Sequence, residues 1–238
     1  MEREFELETT TVWNFSNRGD WSGHKGDYPG NWSPYVPRNI ISRYSKKGDI
    51  VLDQFVGSGT TLVESALLGR RAIGCDINKK ALMISKERIK GLKSNIVLLR
   101  KDATNLNSIK SSSIDLICTH PPYFNIIKYS NGIKGDLSLM NEKEFYIAIE
   151  KVSKECYRVL KNNKYCAVLM GDTRKNGYVV PLAFNVMNIF INTGFKLKEI
   201  IIKQQHNCRS TKYWEKISLK RNFYLIAHEY LFVFRKNF

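Results

Sequence analysis

Short apolar runs recur along this chain, each followed by a turn and a stretch with helical spacing, and no other feature restricts the fold so strongly. The expected strands are residues 50–53, 72–76, 95–99, 114–118, 165–170, 195–202 and 229–234. Helices are expected after Pro37, with Ile40, Ile41 and Tyr44 on one face, and over 62–68 and 79–92. Phe145, Ile149, Val152, Cys156 and Leu160 share one face of a helix over 142–160. A further helix over 182–191 stops at Asn192-Thr193-Gly194, where glycine can take the left-handed closing conformation. Strands that alternate with helices form parallel βαβ units, so the expected fold is α/β with a mostly parallel seven-stranded sheet. The final strand is expected to be antiparallel, because no further helix follows it.

Three acidic residues stand at or just after the ends of the first three of these strands: Asp53, Asp76 and Asp102. In doubly wound sheets ligands lie beyond the carboxyl ends of the strands, at the point where strand order reverses. Asp53 is followed by Gln54-Phe55-Val56-Gly57-Ser58-Gly59-Thr60-Thr61, a tight glycine loop opening a helix. Such a loop lets backbone approach a ligand closely, and the helix start offers free N–H groups. An acidic residue about 20 positions further on, here Asp76, is placed to hold a ribose diol. The third glycine of the dinucleotide fingerprint is missing, and no Gly-Lys-Ser/Thr exists to form a P-loop. Three carboxylates around one crevice suit a ligand rich in amine and hydroxyl donors and would repel a phosphate.

The 238 residues suit a single domain, with residues 1–36 as an irregular segment anchored on it by tryptophans. The net charge of +16, from 38 Lys+Arg against 22 Asp+Glu, points to a polyanionic partner. Five cysteines, Cys75, Cys118, Cys156, Cys166 and Cys208, include no CxxC pair, so neither a metal site nor a disulfide framework is expected. That usage fits a reducing, cytoplasmic setting. The charged start lacks an apolar core of the signal-peptide kind, and no apolar run is long enough to span a bilayer, so no membrane association is expected.

The remaining conspicuous segment is Thr119-His120-Pro121-Pro122-Tyr123, directly after the fourth strand. Together with Asp53 to Thr61, Gly74-Cys75-Asp76-Ile77-Asn78 and Asp102-Ala103, it resembles the motif series of the DNA amino-methyltransferases, the N6-adenine and N4-cytosine enzymes. Tyr157-Arg158-Val159-Leu160-Lys161 and His228 to Phe234 resemble a helix end and a closing strand of the same family. The resemblance covers about residues 32 to 236, with cofactor motifs before the catalytic one. It implies a Rossmann-like class I methyltransferase domain using S-adenosyl-L-methionine (AdoMet). The implied cofactor residues are Asp53, Phe55, Gly57, Gly59, Thr60, Thr61, Asp76, Ile77, Asp102, Ala103 and Thr119, with Trp32 and Pro37 over the methionine end.

The implied catalytic residues are His120, Pro121, Pro122 and Tyr123. An exocyclic base amine is a poor nucleophile, and acceptors on its N–H bonds would make it pyramidal. The resemblance gives that role to the His120 side chain and the Pro121 carbonyl, while Tyr123 stacks on a flipped base. The family carries Asp, Asn or Ser where His120 stands, and proline where Gln54 stands. A neutral histidine can accept, and a protonated one cannot. The Thr-x-Pro-Pro-Tyr form leans toward cytosine N4 over adenine N6.

Residues 203–222 form an expected basic loop between the last two strands, with Lys203, Arg209, Lys212, Lys216, Lys220 and Arg221 interleaved with Tyr213 and Trp214. Basic groups with aromatics suit phosphate and base contacts. Lys128 belongs to a second expected contact, a lid over 124–140. The expected partner is DNA, with RNA or a catalytically inactive nucleic-acid-binding fold as alternatives. A cognate restriction endonuclease and a monomer or dimer complete the expectations.

Overall fold

The computed structural model describes residues 5–124, 126–206 and 211–237. Its elements in chain order are β1 (Val12–Trp13), α1 (Tyr35–Tyr44), β2 (Ile50–Asp53), α2 (Thr60–Leu67), β3 (Arg71–Asp76), α3 (Lys79–Arg88), β4 (Ile96–Arg100), β5 (Ile114–Thr119), α4 (Glu142–Val159), β6 (Leu160–Met170), β7 (Thr173–Lys175), β8 (Tyr178–Val180), α5 (Leu182–Asn192), β9 (Lys196–Gln204), α6 (Thr211–Arg221) and β10 (His228–Arg235). The main sheet runs β1-β9-β10-β6-β5-β2-β3-β4, while β7 and β8 pair as a separate hairpin. Only β10 is antiparallel to its neighbours in the main sheet.

The fold is thus the expected Rossmann-like α/β arrangement, with eight strands rather than seven in the main sheet. The added strand, β1, pairs with β9 at Val12–Ile202 and Trp13–Lys203. Two residues are too few for any alternating pattern to announce a strand. Two more differences concern local form. Helix α1 starts at Tyr35, so Pro37 lies within its first turn, where a missing N–H costs nothing. The second half of the expected basic loop is helical, forming α6.

The sheet is buried between helical layers. Every residue of β5 is buried, as the strand at the centre of a parallel sheet covered on both faces must be. Helix α4 turns Phe145, Ile149, Val152 and Cys156 inward at spacings of three and four. Its start is fixed by a reciprocal capping box between Asn141 and Glu144, a device worth about 1 kcal/mol.

Strand order reverses between β2 and β5. The chain leaves β2 in one direction through β3 and β4, then crosses to the other side at β5 and β6. The carboxyl ends of β2 and β5, Asp53 and Thr119, therefore flank the crevice where ligands bind in this architecture. Among the described residues, no helix is long and apolar enough to cross a membrane.

Candidate active site

Two cavities adjoin at that crevice. The first is lined by Asp53, Asp76, Asp102 and a fourth carboxylate, Asp136, with Phe55, Gly57, Thr60, Ile77 and Ala103. Asp53 is the structural centre of this cavity. Its Oδ1 accepts from Thr119 Oγ1 at 2.8 Å and from the Phe55 N–H, and its Oδ2 accepts from Thr61 Oγ1 at 2.6 Å. Thr119 and Thr61 thereby clamp the ends of β5 and α2 to β2. Burial pushes the Asp53 carboxyl up to about 6, against the lowering by these hydrogen bonds.

Asp76 accepts from the Gly57 N–H at 3.0 Å and the Asn78 N–H at 2.8 Å, which fixes the glycine loop to β3. Burial raises its pKa as well. The left-handed φ of +87° at Gly59 opens α2, and a Cβ there would press on Ser85. Gly59, Thr61 and Thr119 thus shape the cavity from behind rather than line it. Pro37 lies buried in α1, away from the lining of both cavities, because its ring packs within the helix's first turn.

Residues 126–140 fold over the first cavity, which Tyr129, Gly135, Asp136 and Leu137 help to line. Asp136 anchors them, accepting from Ser130 Oγ, Ser138 N and Ser138 Oγ at 2.5, 3.0 and 2.7 Å. Asn78 Nδ2 holds the Tyr129 carbonyl at 2.8 Å, and Tyr28 stacks on Tyr129. Gly135 has a φ of +93°, and a Cβ there would lie 2.7 Å from Asp102 Oδ2. Only glycine lets this backbone approach the carboxylate so closely.

The second cavity is lined by His120, Pro121, Tyr123, Lys203 and Glu229, with Trp32 and Ile126 among its walls. Pro122 faces the first cavity instead. Gly30, Asn31, Trp32, His120 and Tyr129 line both. Trp32 is itself held from behind, since Arg18 donates to the Asn31 and Trp32 carbonyls at 2.8 Å. Its ring lies 5.7 Å from the His120 ring at an interplanar angle of 30°.

Glu229 organises the second cavity. Tyr123 Oη donates to its Oε1 at 3.2 Å, and Lys203 Nζ donates to its Oε2 at 2.9 Å. His120 Nε2 lies 3.0 Å from Tyr123 Oη and 3.8 Å from Glu229 Oε1. Burial would raise the Glu229 pKa, yet Lys203, His120 and the hydrogen bonds from Lys203 and Tyr123 together hold it below the usual range. Burial, with Glu229 beside it, drives the Tyr123 phenol far up.

Lys203 is thus an internal partner of Glu229, and its ammonium does not face solvent as a loop residue's would. Register explains this: Lys203 and Glu229 are direct partners across β9 and β10. Among the described residues, Lys128, Lys212, Trp214, Lys216, Lys220 and Arg221 carry no such internal ion pair, and no residue of α6 is buried. Arg209 lies outside the described residues. Sequence reasoning missed Tyr28 and Glu229, and reached Tyr129 and Asp136 only as members of the expected lid over 124–140, with no place in the cofactor cavity. Glu229 alone left a signal, as a lone acid inside an otherwise apolar strand.

His24, Trp21 and Arg38 converge on the buried carboxylate of Glu64, at 2.7, 2.7 and 2.9 Å. These residues pin the N-terminal segment to α1 and α2, outside both cavities.

The family model described as DNA methylase, for N6/N4 methyltransferases, matches residues 2–87 and 114–238. The tRNA (guanine(10)-N2)-dimethyltransferase of Methanocaldococcus jannaschii is 33% identical over 146 residues, covering 58% of this chain and 37% of that protein. The type II methyltransferase M2.DpnII of Streptococcus pneumoniae is 41% identical over 78 residues, covering 33% of this chain and 29% of that protein. The matched stretches thus span well under half the length of these curated relatives. Among solved structures, TrmN from Thermus thermophilus superposes with a TM-score of 0.58 at 20% identity, over 87% of this chain and 50% of that one.

Proposed function

The chain belongs to the N6/N4 DNA methylase family, and from that premise we propose that it transfers a methyl group from AdoMet to an exocyclic amine of a nucleic-acid base, with DNA as its substrate. The observation that carries this reading is the shared wall of the two cavities. His120 and Trp32 separate a carboxylate-lined cavity from one floored by Pro121 and Tyr123.

The first cavity fits AdoMet by its chemistry. Four carboxylates offer acceptors to an ammonium and a ribose diol and repel phosphate. Gln54 Oε1 and Ser58 Oγ, on two lining residues, are buried without a partner among the described residues. At Gly57 and Gly135 the backbone comes so near Tyr28 and Asp102 that a Cβ would press on these lining residues. When bound, the cofactor supplies a methyl group on an electrophilic sulfonium. Asp76 and Asp102 would hold the donor's hydroxyls and base, and Asp53 would act through the loop it braces.

The residues of the second cavity do the rest. Tyr123 and Trp32 offer aromatic faces to a base taken out of its stack. The His120 ring and the Pro121 carbonyl accept from the amine's N–H bonds and aim its lone pair at the methyl carbon. Such positioning is the main service a rigid Pro-Pro segment gives. Helix α6, with four basic residues, one glutamate and exposed Tyr213 and Trp214, would track the phosphate backbone.

Cytosine N4 is the favoured acceptor and adenine N6 the next, on the form of the 119–123 motif. An RNA base is the second reading, favoured by the length of the match to the tRNA guanine-N2 enzyme. A cognate endonuclease and a cytoplasmic setting accompany the DNA reading. Labelled AdoMet offered with duplex DNA and with tRNA tests it: methylated DNA base that disappears in Asp53→Ala and Tyr123→Ala supports it. Label in tRNA alone overturns it in favour of RNA, and label in neither overturns the transferase reading.

A further inference from the structure

We propose that His120 is a general base rather than only a hydrogen-bond acceptor, and that Tyr123, Glu229 and Lys203 set its tautomer so that the free lone pair is on Nδ1. The proposal rests on the transferase reading above for its substrate, and on the geometry of one hydrogen-bonded chain for its substance.

The chain starts at Lys203, which neutralises Oε2 of Glu229 at 2.9 Å. Oε1 then receives the phenolic proton of Tyr123 at 3.2 Å. A carboxylate is a stronger acceptor than an imidazole nitrogen held to one lone pair, so the phenol's single proton goes to Glu229. The Tyr123 oxygen is left with lone pairs only, and His120 Nε2 stands 3.0 Å from it. A favourable contact there requires a proton on Nε2. A neutral imidazole carries one proton, so Nδ1 is left with the lone pair. The hydrogen bonds among the described residues engage Nε2 and not Nδ1.

The ring is also in the right place. His120 belongs to the lining of both cavities, as a residue between methyl donor and base must. Trp32 backs the ring face, which restricts its rotation. The charged and titratable groups around it are Glu229 from β10, Lys203 from β9, Tyr123 from its own loop and Tyr129 across the shared wall. Burial keeps the imidazole below its usual pKa, and Lys203 adds to this while Glu229 opposes it. The ring is therefore neutral near pH 7 and ready to take a proton.

In the transfer step, the amine nitrogen's lone pair forms the N–CH3 bond as the S–CH3 bond breaks, and that bonding pair stays on sulfur as a neutral thioether. The positive charge on nitrogen is discharged when its proton passes to Nδ1 of His120. Glu229, 3.8 Å from Nε2, faces the imidazolium so formed, which later releases its proton to water. His120 is then the catalytic residue, and Tyr123, Glu229 and Lys203 act on it as positioning residues. Asparagine or serine at this place can accept a hydrogen bond but cannot carry the proton away.

Long-range 1H–15N NMR of the cofactor-free, histidine-labelled protein reads the tautomer directly, with His120→Asn identifying the signal. The expected result is a bare Nδ1 and a protonated Nε2 above the ring's pKa, relaxing to a mixture in Glu229→Gln and Tyr123→Phe. A proton on Nδ1 in the wild type, or spectra unmoved by both variants, overturns the assignment. Single-turnover methyl transfer gives the second arm. The wild-type rate should rise tenfold per pH unit in acid and level off above the imidazole pKa. His120→Asn should be slower by about 10²-fold and flat over roughly pH 5 to 8. A flat wild-type profile, or an asparagine variant with the wild-type rate, overturns the base. Absence of transfer to any nucleic acid would sink the transferase reading, while the NMR would still decide the tautomer.

Discussion

Replacing Asp53 with asparagine should stabilise the cofactor-free protein at neutral pH, by an amount that disappears in acid. The Asp53 carboxyl is buried, and burial pushes its pKa up to about 6 despite three hydrogen bonds. In the unfolded chain aspartate titrates near ~3.9. The folded state therefore keeps a proton that the unfolded chain has released over roughly pH 4 to 6, and stability falls as pH rises through that window. Two units at about 1.4 kcal/mol each give an ionisation penalty of nearly 3 kcal/mol at neutral pH. Asparagine carries no charge and still presents an oxygen to one of the two threonines. At about 2–4 °C per kcal/mol for a chain of this length, the variant should melt roughly 6–12 °C higher than the wild type. Thermal melts across that pH range, without cofactor, check this. The wild-type curve should drop through the window and the variant's should stay level, the two meeting at its acid end. A variant that melts lower at neutral pH, or a gap that ignores pH, would refute the reasoning.

Glu64→Ala should cost about 3–5 kcal/mol, because it leaves Arg38, His24 and Trp21 facing a buried gap; an unchanged melting temperature would contradict this. Gly135→Ala should weaken AdoMet binding in calorimetry by about tenfold or more, since the left-handed backbone and the approach to Asp102 strain the cavity wall. Replacing Lys216, Lys220 and Arg221 together with alanine should leave the melting temperature unchanged, because nothing in α6 is buried. The same change should flatten the salt dependence of nucleic-acid binding, by about one unit of slope for each phosphate no longer neutralised.

The parallel strands and the carboxylates at their ends are legible in the sequence, because each βα unit carries its own periodicity and its own turn. Asp53, Asp76 and Asp102 need only that sheet order to converge. Glu229 and Lys203 are different. Their pairing depends on the register of two antiparallel strands and on a separation of 26 positions, which no local pattern encodes. Asp136 and Tyr129 sit in a segment without periodicity, where hydrogen bonds to Ser130, Ser138 and Asn78 set the shape. Helix α6 escaped notice for another reason. It has no apolar stripe, and such a stripe is what distinguishes a helix from a polar loop.

The wall shared by the two cavities has a thermodynamic consequence. Three of its five residues, Gly30, Asn31 and Trp32, belong to one loop held by Arg18 and by the hydrogen bond from Thr60 to Asn31. A ligand in either cavity that orders this loop leaves less ordering for the other ligand to do, so each should tighten the other's binding. Linkage makes the two effects equal: the factor by which the methyl donor raises affinity for the base is the factor by which the base raises affinity for the donor. The thioether product, lacking the methyl group, needs only a smaller factor for the modified base to leave.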